Sequence, residues 1–72
     1  MGIAEKIKIL LIKRNMSQKA LAESLGMSAE SFNNKLRRET FSSEDLETIA
    51  LKFNATYNFK QWFKMNDTGE EI

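Results

Sequence analysis

Neither histidine nor cysteine occurs among the 72 residues. That removes the usual general base, the thiolate nucleophile and the commonest metal ligands. No Gly-rich phosphate loop, paired-carboxylate spacing or calcium-loop pattern stands in for them, so neither catalysis nor a metal or cofactor is expected. The side chains still able to do chemistry gather between residues 17 and 43. Gln18, Asn33 and Asn34 are amides that donate and accept at once, Glu30 accepts, and Ser17, Thr40, Ser42 and Ser43 carry hydroxyls. Lys19, Lys35, Arg37 and Arg38 add cationic donors. Such a set recognises a polar, anionic surface through hydrogen bonds and charge. It has no means of breaking a bond.

The elements that must position these groups follow from periodicity and punctuation. Residues 17–36 read as two short helices joined at Gly26-Met27. Gly26 sits where a helix end favours positive φ, Ser28 can start the next helix, and Ala22 is small enough for a close crossing. This is the pattern of a helix-turn-helix, which points to DNA. Net charge agrees in its distribution: the total is +1, with +4 over residues 1–40 and −3 over 41–72. The basic half is the half with the two-helix unit, as a footprint for phosphates requires.

Before that unit, Ile3, Ala4, Ile7, Leu10 and Leu11 form one stripe of a helix at 3–14, with Ile9 and Ile12 as a second apolar strip on its far side. Three later helix starts repeat one local pattern: Met16-Ser17 before Leu21, Met27-Ser28 before Phe32, and Phe41-Ser42 before Leu46. Each pairs a serine cap with a hydrophobic staple, and Asp45 adds a capping box at the third. The spacing predicts helices at 18–25, 29–37 and 43–53, the last closing the core with Leu46, Ile49, Ala50 and Phe53.

Beyond Asn54 the alternation of Tyr57, Phe59, Phe63 and Met65 with polar neighbours predicts one strand over 56–65. A turn at residues 66–69 and a short returning strand at 70–72 follow. A fifth helix is the competing reading, since Phe59, Trp62 and Phe63 also share helical spacing. The expected division is 1–54 for the helical unit and 55–72 for a β extension whose unpaired edge meets a second copy. Tyr57, Phe59, Trp62, Phe63 and Met65 are its expected dimerisation residues. No apolar run approaches the ~20 residues of a membrane span and the start lacks a signal-peptide pattern, so a soluble, cytoplasmic, nucleoid-associated domain is expected.

Residues 4–53 resemble a phage-repressor helix-turn-helix domain of the lambda-repressor and Cro type, the XRE family. The features that carry the resemblance are the Ser17-Gln18 entry, Leu21-Ala22, Leu25-Gly26-Met27-Ser28, Phe32, and the Phe41-to-Leu46 start of a further helix. Small members are also similar in ending on a strand with a turn like Asp67-Thr68-Gly69-Glu70. The resemblance implies a mainly α fold, a four-helix helix-turn-helix bundle with a C-terminal β-strand or hairpin extension. It further implies a transcriptional regulator, expected to be a repressor, that binds double-stranded DNA as a homodimer; with no room for an effector domain in 72 residues, no small-molecule ligand is expected.

It would place the third helix in the major groove, with Phe32 and Leu36 inward. Asn33 and Asn34 are then the expected base readers, each able to pair with adenine N6 and N7. Glu30 would accept from cytosine N4 and Ala29 would meet a thymine methyl. Phosphate contacts are expected from Ser17, Gln18, Lys19, Lys35, Arg37, Arg38, Thr40, Ser42 and Ser43. One departure stands out: many relatives carry an aliphatic residue three positions after Phe32, where this chain has Lys35 and places Leu36 one step later. The rival reading is a protein-interaction adaptor or antitoxin, anchored by Trp62, Phe63, Ile9 and Ile12.

Overall fold

The computed structural model describes residues 2–58 and 62–72. Its elements run α1 (Ile3–Lys13), α2 (Gln18–Ser24), α3 (Ala29–Arg38), α4 (Ser43–Lys52), β1 (Ala55–Asn58) and β2 (Trp62–Met65). The helices stand within a residue or so of the expected bounds because their ends are written locally. Ser17 Oγ accepts the Ala20 N–H at 3.0 Å and Ser28 Oγ accepts the Ser31 N–H at 3.1 Å. Ser42 and Asp45 exchange both bonds of a capping box, each at 3.1 Å. Each satisfies backbone donors that the first helical turn leaves orphaned.

The helix exits use left-handed residues: Asn15 at φ 52°, Gly26 at φ 72°, Glu39 at φ 54° and Asn54 at φ 54°. Behind the first three, the next N–H reaches back five positions: Met16 to Leu11 and Met27 to Ala22, both at 2.9 Å, and Thr40 to Lys35 at 3.1 Å. Asn15-Met16-Ser17 and Gly26-Met27-Ser28 are therefore the same three-residue connector. Each ends one helix, turns through a core-packed methionine and caps the next. Helix α1 lacks a side-chain cap of its own, and Glu39 reaches across from the end of α3 to accept the Ala4 N–H at 3.3 Å.

The core draws Ile3, Ile7, Leu10 and Leu11 from α1, Leu21 and Ala22 from α2, and Phe32 and Leu36 from α3. Leu46, Ile49, Ala50 and Phe53 close it from the α4 side. Ala55, Phe63 and Met65 belong to the same buried cluster, so the hairpin packs on the bundle as part of one core.

That placement corrects two expectations. The strand expected over 56–65 is two strands, β1 and β2, paired antiparallel with Tyr57 opposite Phe63. Phe63 and Met65 are buried against their own bundle, so their side chains are not offered to a partner. Among the described residues Phe63 and Met65 do share one face, but pairing of β2 with β1 turns that face inward. Phe59 and the side chain of Trp62 lie outside the described residues. Residues 70–72 return along the far edge of β2, where Ile72 and Phe63 exchange backbone bonds of 2.8 and 3.0 Å.

The tail is also clamped to α1. Arg14 Nε donates to the Phe53 carbonyl at 2.9 Å, while its two terminal nitrogens grip Asp67 at 2.9 and 2.7 Å. Lys13 meets Glu70 at 2.8 Å. The Arg14 guanidinium pulls the Asp67 carboxyl down to about 2.

Candidate nucleic-acid interface

Helix α3 presents a polar face because its two large apolar residues, Phe32 and Leu36, are both spent on the core. Phe32 is further fixed by Phe41, whose ring centroid lies 5.4 Å away. Four residues apart, this inward pair seats the helix despite Lys35 at the intervening position. Lys35 lies half-buried and turns its ammonium toward α4, 3.5 Å from Asp45. The Ser42 N–H, and behind it Lys35, hold the Asp45 carboxyl below the usual carboxylate range.

Ala29, Glu30, Asn33, Arg37 and Arg38 are exposed on the other side of α3, and Asn34 is half-buried among them. The two amides are not free rotors. Gln18 Nε2, at the first position of α2, donates to Asn33 Oδ1 at 3.2 Å. Arg37 donates to Asn34 Oδ1 at 3.0 Å. Each oxygen therefore already has a donor, and each Nδ2 keeps hydrogens for another group.

Beside this face lies a groove of about 430 Å³ between α1 and α3, lined by Glu5, Lys8, Gln18, Asn33 and Arg37 among others. Lys8 and Glu5 were not among the expected site residues. The usable signal was their position off the apolar stripe of α1, one turn apart. A second groove, of about 500 Å³, runs from the Gly26 turn to α4 past Ser28, Ser31 and Lys35.

The remaining expected contacts divide into two groups. Ser17, Gln18 and Lys19 stand at the start of α2, Ser17 and Lys19 exposed and Gln18 half-buried. Thr40 and Ser42 are exposed between α3 and α4, and Ser43 is exposed as the first residue of α4. Ser17 and Ser42 already use their hydroxyl oxygens as caps, which leaves each an O–H to donate. Cationic and hydroxyl donors thus flank a helix whose exposed face carries amides and an acid. Among the described residues no cluster of three acids could hold a metal ion, and no helix is long and apolar enough to cross a membrane.

Comparison with known proteins identifies the family. Residues 6–56 match the family model of the Cro/C1-type HTH DNA-binding domain. The Repressor protein CI of Enterobacteria phage phi80 is 39% identical to this chain over 52 residues, 72% of this chain and 22% of that protein. The chain thus spans about a fifth of the length of the curated relative it matches. No solved structure gives a significant match.

Proposed function

The chain belongs to the Cro/C1-type helix-turn-helix DNA-binding domains, and from that premise we propose a sequence-specific transcriptional repressor that inserts α3 into the major groove as a homodimer. The observation that carries this reading is the exposed face of α3, with its amides held by Gln18 and Arg37. The major groove admits a helix and presents the donors and acceptors that such side chains match. Asn33 is the adenine reader of this reading, Glu30 accepts from cytosine and Ala29 packs on a thymine methyl. Ser17, Gln18 and Lys19 bind phosphates on one side, and Arg38, Thr40, Ser42 and Ser43 on the other. Lys35, drawn to Asp45, contributes charge at the edge of that surface.

Two half-sites one helical turn apart, ~34 Å, require two copies. Since residues 70–72 occupy the far edge of β2, the outer edge of β1 is the one on which a second copy pairs. Tyr57 lies on that strand, and a groove of about 280 Å³ beside it runs to Leu51, which is 75% exposed. Light scattering of the full chain tests this: Leu51→Lys is expected to halve the mass, with a cooperative thermal melt showing that the fold is kept. An unchanged mass removes the β1 interface.

DNA binding itself is tested by selecting random duplexes with the purified protein at moderate salt. Enrichment of a two-fold symmetric site is the expected result. The adaptor reading retains one supporting observation, Ile12 at 79% exposure on α1 beside the half-buried Ile9. Absence of any enriched sequence would favour it.

A further inference from the structure

The bond between Arg37 and Asn34 changes what each of them offers to DNA. A guanidinium has five N–H donors and no acceptor, so its contact with Asn34 fixes the amide with Oδ1 toward Arg37. The two side chains sit one turn apart on α3, Arg37 exposed and Asn34 half-buried. Among the described residues Arg37 makes no ion pair that would turn its fork elsewhere. One lone pair of Oδ1 is thereby engaged, and the exposed fork of Arg37, which has no acceptor, presents donors alone in its remaining N–H groups.

Only one base edge in the major groove accepts such a surface in full. Guanine offers two adjacent acceptors, O6 and N7. Adenine sets its N6 donor beside N7, cytosine offers its N4 donor, and thymine has the single acceptor O4. We infer that Arg37 reads a guanine in each half-site, with Asn34 as the positioning residue that orients its guanidinium. This exchanges the roles expected from sequence, in which Asn34 pairs with adenine and Arg37 sits on a phosphate. It rests on the reading of α3 as the helix that enters the groove.

The test compares random-duplex selections by the full-length wild type, Arg37→Ala, Asn34→Ala and Asn34→Asp, with thermal melts to show that each variant folds. The wild type is expected to enrich a guanine that Arg37→Ala no longer prefers, a loss of roughly tenfold in discrimination at that position. Asn34→Ala should blunt the same preference, whereas Asn34→Asp, which keeps an acceptor for Arg37, should restore it at lower overall affinity. An adenine-reading Asn34 gives the opposite result, since Asp cannot donate to N7. Equal weakening of all sequences by Arg37→Ala, with the salt dependence flattened by about one unit, places Arg37 on a phosphate and overturns the inference. So does a consensus whose bases are all indifferent to Arg37→Ala, while leaving the repressor reading intact. If the wild type enriches no sequence, that reading fails and this one with it.

Discussion

Gln18 and Asn33, fifteen positions apart in the chain, are joined by a 3.2 Å hydrogen bond from the first residue of α2 to the exposed face of α3. The bond places one amide beside the other before any nucleic acid is present. A base-reading side chain that is already oriented loses less rotamer freedom on binding.

Removing the donor should therefore register in specificity and not in folding. Gln18→Ala is expected to reduce discrimination at the base that Asn33 is proposed to read by about 0.5–1.5 kcal/mol, the usual net value of one hydrogen bond. Competition between the selected site and single-base variants measures it. A uniform loss on all sites would assign Gln18 to a phosphate alone.

The clamp on the tail predicts an acid-sensitive stability. Asp67 is held at about 2 by Arg14, against an ordinary value of 3.8. A depressed carboxyl pKa gives stability that is complete above the ordinary value and lost as pH falls through the folded one. Melting temperature should fall between roughly pH 5 and pH 2, and Asp67→Asn should flatten that fall. Asp45, also held below its usual range, keeps some slope in the variant. If wild type and Asp67→Asn show parallel profiles, the Arg14–Asp67 pair adds nothing in solution.

Gly26 tests the helix-turn-helix connector. Its φ of 72° lies in the left-handed region, and a Cβ there would meet open space, so the penalty is backbone strain without a clash. Gly26→Ala should lower stability by about 1–2 kcal/mol, roughly 4–8 °C in Tm per kcal/mol for a domain of this size. Gly26→Asn should lose less, because Asn15 holds the equivalent place in the preceding connector at φ 52°. Thermal melts rank the three proteins.

Phe63 tests whether the hairpin is part of the folding unit. It is fully buried against the helices, so Phe63→Ala should cost about 3–5 kcal/mol. That is a large share of the ~5–15 kcal/mol of a typical domain. Ile12→Ala, at an exposed position, should change stability by less than about 0.5 kcal/mol. Urea denaturation of both variants checks the contrast; similar values would show the tail to be dispensable.

What the sequence made legible is what the chain encodes locally. Serine caps and staples lie within a few residues of the starts they set and phase α2, α3 and α4, and Gly26 marks the end of α2; the left-handed exits at Asn15, Glu39 and Asn54 carry no such signal. The face of α3 followed from Phe32 and Leu36, although Lys35 interrupts the usual spacing. Interactions between distant positions were not legible. Nothing near Arg14 announces Asp67, and nothing near Lys35 announces Asp45. The apolar alternation after Asn54 has no local feature that tells the bundle's own core from a partner's surface. Only the fold-back into β1 and β2 decides it for Phe63 and Met65.

The repeated connector, a left-handed residue, a methionine and a capping serine, has a thermodynamic consequence. Because each methionine is packed on the core while the serine after it starts the next helix, the angles between α1, α2 and α3 are set within the free protein. Little ordering of the backbone is then left for the encounter with DNA. The heat-capacity change of association should therefore match the surface covered, without the added signature of coupled folding.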